Sequence, residues 1–181
     1  MTRLVGIIKR RMSIGVAVSI SETDFGAVPA PLEWGKGGPY VLCVMQAMTG
    51  VVAWAEHHGY QGKVAYFFEN GHKHQNLTNR AVAQFSATKV GTRDLRYHSH
   101  SFAGKLDVRP LQAADLLAYE WYKELKRLSD PTCHRPMRRS LESLLEKRHI
   151  YVHLNAQDML WLAAREFDKL SAHFSKFLEV N

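Results

Sequence analysis

The 181-residue chain has few of the features that define several protein classes. Only two cysteines are present, Cys43 and Cys133, which are too few for a disulfide framework or a paired-cysteine zinc knuckle. The longest apolar run, residues 40–55, contains polar residues and a glycine and is shorter than the ~20 residues of a membrane span. We therefore interpret this run as a buried helix, and we expect a protein of the reducing cytoplasm.

Motifs of the common nucleotide-binding and hydrolytic enzymes are also missing. The sequence has no GxSxG elbow, and its glycine-rich stretch at 34–40 contains a lysine but no GK[ST], so it is interpreted as a turn and not as a phosphate-binding loop. At residues 2–11 an apolar patch precedes the basic residues, which is the reverse of a secretory signal.

Positive charge is present in moderate excess. The net charge is +7 at neutral pH with ten histidines uncounted, and the basic residues cluster at 9–11, 135–139 and 147–148. Such clusters suit contact with phosphates, but they also suit simple solubility. No strand combines aromatic and basic residues in the pattern of a single-strand nucleic-acid binder.

Hydrophobic periodicity predicts strands that alternate with helices in one domain covering residues 1–181, which is typical of a layered α/β protein. The predicted strands are 13–21, 63–69, 95–102 and 150–154. The predicted helices are 2–11, 40–58, 73–90, one from Pro110, 138–147 and one from about Asn155, with a loop at 22–39. Apolar residues on both faces of strand 63–69 predict a central strand, paired on both sides.

The helix that begins at Pro110 organises the chain. Its apolar residues recur at spacings of three and four and predict one buried stripe: Leu111, Ala114, Ala118, Trp121, Leu125 and Leu128. The predicted solvated side carries Glu120, Lys123, Glu124 and Arg127. On this helical wheel Asp115 points toward the apolar side, where a carboxylate needs a cation, a metal or a donor. The alternative is an aspartate at the edge of the stripe with an ordinary backbone or arginine partner.

Two acidic residues are candidates for metal binding. Glu69 ends a predicted strand and Asp115 lies in the first turns of a later helix, and the carboxyl ends of strands carry the site in open α/β sheets. Together they would bind Mg²⁺ or Mn²⁺ through oxygen, and such a metal activates water for attack on a phosphodiester. Alternatively, Glu69 is a strand-end acid paired with Lys63 or Lys105.

Histidines form a second candidate cluster. His72 and His74 follow Glu69, whereas His98 and His100 share one face of a predicted strand. A histidine–carboxylate site for a transition metal is one interpretation. One histidine acting as general base or phosphate donor is another, and chance pairs among ten histidines are a third.

Several of these segments resemble one protein family. Leu111-Gln-Ala-Ala-Asp-Leu-Leu-Ala-Tyr119 is similar to the LQxADLLA signature of the bacterial domain-of-unknown-function family 3800, and residues 68–73 resemble its FExGHK variant. Residues 39–40 and 101–105 are similar in placement. The resemblance spans roughly residues 13–147.

The resemblance implies a ribonuclease-H-like three-layer α/β fold, with a short central sheet flanked by helices, and a metal-dependent nuclease activity. By position it implies Glu69 and Asp115 as metal ligands and, with His72, as catalytic residues. Lys73, Lys105 and Gln112 would bind the substrate.

The chain departs from the family at its start. The opening strand with an Asp-Glu-Ser motif is absent, and Asp24 does not replace it because it follows a strand. The chain therefore looks N-terminally incomplete, and we expect an edge of strand 63–69 to need cover from a partner, a second copy or a swapped segment. Two hypotheses follow: a metal-dependent nuclease, or a non-catalytic module that binds nucleic acid or oligomerises.

Overall fold

Helices and strands alternate along the chain in the computed structural model, which describes residues 2–28, 38–87 and 95–164. Within these ranges the helices are α1 (Thr2–Arg11), α2 (Glu22–Ala27), α3 (Gly38–His57), α4 (Gln75–Ser86), α5 (Arg109–Leu128), α6 (Arg139–Leu145) and α7 (Ala156–Ala164). The strands are β1 (Gly15–Ile20), β2 (Val64–Glu69), β3 (Tyr97–Ala103) and β4 (His149–Leu154). The predicted α/β class is confirmed.

The four strands form two separate parallel pairs. β1 pairs with β4 from Gly15↔His149 to Ile20↔Leu154, and β2 pairs with β3 and ends at Glu69↔Ala103. Among the described strands β2 thus has one neighbour, β3, so the prediction of a central strand paired on both sides is wrong for this part of the chain.

The two faces of β2 differ in burial. Tyr66 is buried among residues of α3 and α4, whereas Phe67 is 51% exposed. Successive side chains of a strand point to opposite faces, so one face packs on the core and the other is open. The apolar composition of β2 suggested two covered faces, but only tertiary contacts determine which face is covered.

Helix α3 packs in the hydrophobic cores of both sheets. Its Leu42 and Ala53 pack in the core with β4, and its Met45 and Val52 pack in the core with β2. The helix is long and apolar enough to cross a membrane by length and composition, but 56% of its apolar window is buried inside the protein. The predicted buried helix is confirmed.

Helices cover both faces of the β1–β4 sheet. Ile150 and Val152 face a core with α3 and α7, whereas the intervening Tyr151 stacks on Trp121 of α5 at a centroid distance of 4.0 Å. Since neighbouring strand residues point to opposite faces, α5 lies on the face opposite to α3. The order of layers is therefore helix, sheet, helix.

Helix α5 buries a different side from the one predicted. Leu117, Glu120 and Glu124 are buried, whereas Leu128 is 62% exposed. The face around Leu117 packs against Leu141 and other residues of α1 and α6. Glu124 accepts hydrogen bonds from Arg127, whereas Glu120 lies 3.3 Å from Nε of Arg138 and its carboxylate oxygens accept no hydrogen bond from the described residues. The predicted assignment of these glutamates to solvent is therefore wrong.

Two other predictions need correction. Within the predicted loop 22–39 the structure has helix α2, because the hydroxyl of Ser21 caps it by accepting from the backbone N–H of Asp24. The three-and-four spacing of the apolar residues that begins at Leu160 predicts that Leu160 faces inward, but in α7 it is 44% exposed while Met159 and Leu162 are buried. Predictions for residues 29–37, 88–94 and 165–181 lie outside the described residues.

Candidate functional site: a lysine between two carboxylates

The end of β2 and the start of α5 meet beside the turn that follows β3. Glu69 closes β2, and Lys105 lies two residues beyond the end of β3. The ammonium nitrogen of Lys105 is 3.2 Å from Oε1 of Glu69 and 3.1 Å from Oδ2 of Asp115. The structure therefore brings together two acids that are far apart in sequence, and it contains the pairing of Glu69 with Lys105 that the sequence left as an alternative.

The separation of the two carboxylates follows from their common partner. Both oxygens lie within 3.2 Å of one nitrogen, so they cannot be further apart than twice that distance. This limit falls inside the range of ~4–8 Å over which two carboxylates share a metal ion or a metal pair. Glu69 and Asp115 are thus close enough to bind one cation together.

Local hydrogen bonds fix the position of Lys105. The backbone N–H groups of Asp107 and Val108 both donate to the carbonyl of Gly104, which forms a tight turn before α5. The side-chain amide of Gln112 donates to the carbonyl of Lys105 at 2.9 Å. Gln112, predicted to bind substrate, therefore holds the backbone of the lysine in this structure.

The cluster is open to solvent. The side chains of Glu69 and Asp115 are 45% and 57% exposed, and that of Lys105 is 38% exposed. The prediction that Asp115 turns toward a buried stripe is therefore wrong, because the buried face of α5 lies on the side of Leu117. Hydrogen bonds to Asp115, and then to Glu69, raise the pKa of Lys105 above its usual range.

Tyr40, at the start of α3, belongs to the same neighbourhood and was not predicted as a site residue. Burial raises the pKa of its hydroxyl, and the negative charge of Glu69 raises it further. The imidazole of His72 stacks on its ring with a centroid distance of 4.2 Å. Tyr40 comes near Glu69 only in the folded chain, so residue spacing gave no signal for it beyond the Pro-Tyr pair before the helix.

The other predicted residues lie around this cluster. Lys73 is exposed in the turn before α4, and no ion pair joins it to Glu69 or Asp115. His74 stands 5.3 Å from His72, centroid to centroid, and serves as the N-terminal cap residue of α4. His72 stacks on Tyr40, which lies near Glu69, so His72 is close to the cluster. The side chain of Lys73 is exposed to solvent.

The histidines of β3 make different contacts. Nε2 of His100 donates to Oδ1 of Asn79 at 2.8 Å, its Nδ1 is hydrogen-bonded to the hydroxyl of Tyr97 at 2.6 Å, and burial lowers its pKa. His98 is exposed and contacts Ser99. Within residues 2–28, 38–87 and 95–164, no three His, Cys, Asp or Glu side chains form a group that could hold a metal ion.

No protein family, curated protein or solved structure matches this chain. Two carboxylates that face one cation can hold a divalent ion through oxygen, with water completing the coordination, as Mg²⁺ prefers. In the structure that cationic position belongs to the ammonium of Lys105.

Proposed function

We propose that the chain is a metal-dependent hydrolase of nucleic-acid phosphodiesters, working in the cytoplasm with Mg²⁺ or Mn²⁺ bound by Glu69 and Asp115. One observation supports this most: two acids from separate elements converge on a single positive charge at an exposed strand end. A divalent ion bound there would lower the pKa of bound water and neutralise charge on the phosphate.

The chain's own residues have distinct roles in this proposal. Glu69 and Asp115 bind the cation, and Lys105 supplies a positive charge that favours a phosphodiester beside them. His72, held by stacking on Tyr40, is the candidate proton acceptor. Gln112 is a positioning residue, because it holds the backbone of Lys105.

Metal binding and cleavage test the proposal together. The thermal unfolding midpoint of the protein is measured with and without millimolar MnCl₂ or MgCl₂, and labelled single- and double-stranded DNA and RNA are incubated under the same conditions. We expect Mn²⁺ to raise the midpoint, because a ligand that binds only the folded state stabilises it. We also expect cleavage of at least one substrate.

Variants that remove one carboxylate charge test whether the thermal shift and the cleavage depend on the cluster of Glu69 and Asp115. Glu69→Gln and Asp115→Asn should abolish both the metal-dependent shift and the cleavage. Glu56→Gln is the matched control, because Glu56 is an exposed acid at the end of α3, outside the cluster. No metal-dependent shift and no cleavage in the unmodified protein would overturn the proposal, and so would full activity in both cluster variants.

A second candidate function is nucleic-acid binding without catalysis. The ion pair of Lys9 with Glu146 joins the basic end of α1 to α6, and the backbone N–H of Gly15 donates to the carbonyl of Arg148. These contacts bring the basic run at 9–11 close to the exposed pair Lys147 and Arg148. A positive surface assembled from two sequence clusters favours a polyanion.

Salt-dependent binding distinguishes this second function. Fluorescence anisotropy of a labelled 20-nucleotide RNA and its DNA counterpart should give affinities that fall with KCl concentration. Changing Lys147 and Arg148 to glutamine should weaken binding and reduce the salt slope. Changing Lys123 and Lys126 to glutamine is the control, since these residues lie over Tyr119 and Tyr122 on α5. Binding without cleavage in Mn²⁺ would favour this function over the first.

A further inference from the structure

An open groove of 1220 Å³ lies between α5 and the edge of the β1–β4 sheet. Its walls are mainly apolar and come from α1, α3 and α5, with β1 between them. Small-molecule pockets are usually ~300–1,000 Å³ in volume. The groove is therefore larger than a typical metabolite needs.

The edge of β1 faces this groove. All seven consecutive residues from Ile14 to Ile20 line it. Alternate side chains of a strand point to opposite faces of the sheet. Residues of both faces of β1 line the same groove, so the groove must lie along the edge of this strand. The groove thus lies along the side of β1 that is opposite to β4.

The backbone of β1 presents unpaired hydrogen-bonding groups on that side. The N–H of Gly15 donates to the carbonyl of Arg148, the residue before its register partner, as in a parallel ladder. Alternate residues of such a strand turn their N–H and C=O groups to opposite sides. Val16, Val18 and Ile20 therefore direct theirs away from β4 and into the groove, where β1 has no second strand among the described residues.

Helices border the groove on both sides of the β1 edge. Helices α3 and α5 cover opposite faces of the β1–β4 sheet and extend past β1, with Ala47 on one wall and Ala114 and Ala118 on the other. These small side chains leave room beside the strand.

The charge of the groove lining also restricts which segment can bind there. The ionic residues in the groove lining are both arginines, Arg11 and Arg109, and among the described lining residues no acid accompanies them. The remaining wall includes the thiol of Cys43, whose pKa burial raises to about 12, so it is uncharged. An occupant with apolar side chains and one acidic residue complements this lining.

We propose that this groove binds one extended apolar peptide segment with an acidic residue, which adds to β1 as a third strand of the sheet. Main-chain hydrogen bonds to Val16, Val18 and Ile20 supply affinity, and side-chain pockets on both faces supply specificity, as in strand addition to other exposed sheet edges. The segment buries the apolar side of α5 that the remainder of the described chain leaves open.

A synthetic peptide tests the proposal. The probe is acetyl-Asp-Val-Ile-Val-Ile-Val followed by a Gly-Ser tail, and its control has proline, which cannot donate to a strand, in place of the second valine. Binding is measured by calorimetry, and amide hydrogen exchange is followed by NMR at Val16, Val18 and Ile20. We expect the probe to bind at least tenfold more tightly than the proline control and to slow exchange at these three amides.

Paired variants locate the binding. Ala118→Trp places an indole in the groove and should weaken probe binding at least tenfold. Ala83→Trp is the matched control, because Ala83 is an exposed alanine of α4 outside the groove lining, and it should leave binding unchanged.

Three results would overturn the proposal. Equal binding of the probe and its proline control shows non-specific hydrophobic contact. Full protection of the three amides in the unliganded monomer shows that another segment of this chain already fills the groove. Protection that appears only with dimer formation shows that a second copy fills it.

Discussion

Glu69 and Asp115 share one counter-ion, the ammonium group of Lys105, which lies 3.2 Å from the first and 3.1 Å from the second. The three side chains come from three different parts of the fold, and each is partly exposed. An ammonium group and a divalent ion compete for the same oxygens, because both need the negative charge of the carboxylates. The lysine is therefore the residue through which the metal proposal can be tested most directly.

Removing the ammonium group should strengthen metal binding. In Lys105→Met the two carboxylates keep their negative charge without an internal cation, so we expect the affinity for Mn²⁺ to rise several-fold in isothermal titration calorimetry. Lys63→Met serves as the control, because Lys63 is an exposed lysine at the other end of β2. Weaker binding in Lys105→Met than in the control would show that the lysine does not compete with the metal.

The buried pair on α5 should make stability depend on acid pH. Glu124 is 2% exposed and accepts from Nη2 of Arg127 at 2.6 Å and from Nε at 2.9 Å, and these bonds lower its pKa. A lowered pKa contributes stability above the unfolded value of ~4.3, and this contribution is lost as pH falls through the lower folded value. Glu124→Gln should cost ~1–3 kcal/mol at neutral pH, measured by urea unfolding.

The same variant should become less harmful in acid. Between about pH 4 and pH 2 the difference in unfolding free energy between Glu124→Gln and the unmodified protein should shrink. Glu142→Gln changes an exposed acid of α6 and should show no comparable cost at either end of the range. A constant penalty at every pH would show that the charge of Glu124 is not what stabilises α5.

Packing among α1, α5 and α6 should depend strongly on Leu141, which is fully buried in their common core. Truncation leaves a cavity there, so Leu141→Ala should reduce the free energy of unfolding by ~2–5 kcal/mol. Leu106 is 83% exposed, and Leu106→Ala should change stability by less than ~0.5 kcal/mol. Equal effects in denaturant melts would contradict the burial of Leu141.

One buried hydroxyl should stabilise the second sheet. Tyr66 is 8% exposed, and its hydroxyl donates to the carbonyl of Leu95 at 2.8 Å. Phenylalanine keeps the ring but leaves that carbonyl without its donor, so Tyr66→Phe should cost ~1–3 kcal/mol. Tyr122→Phe, at a side chain that is 52% exposed, is the comparison and should be close to neutral. The reverse order of effects in thermal unfolding would rule out this hydrogen bond.

Element types were largely predictable because they depend on local spacing. The alternation of Gly15–Ile20, the apolar run of α3 and the proline that begins α5 each favour one backbone conformation whatever the partner. Leu77 and Phe85 lie two turns apart on α4, a spacing that predicts one inward face, and both pack against the core around Tyr66. The short helix α2 was not predicted, because turn-forming residues surround it in the sequence. In the structure the Ser21 cap and the packing of Phe25 on the core stabilise it.

The sequence alone determined which residues carry charge, the four strands and every described helix except α2, and that Glu69 ends a strand while Asp115 lies early in a helix. Only the tertiary structure decided that Lys105 stands between those acids, that Glu120 and Glu124 are buried, and that the apolar side of α5 borders a groove. Periodicity fixes the angle between residues on one helix, but it does not fix how that helix is turned toward its neighbours. That rotation depends on the summed contacts of α5 with α1, α6 and β4, and those contacts exist only in the folded chain.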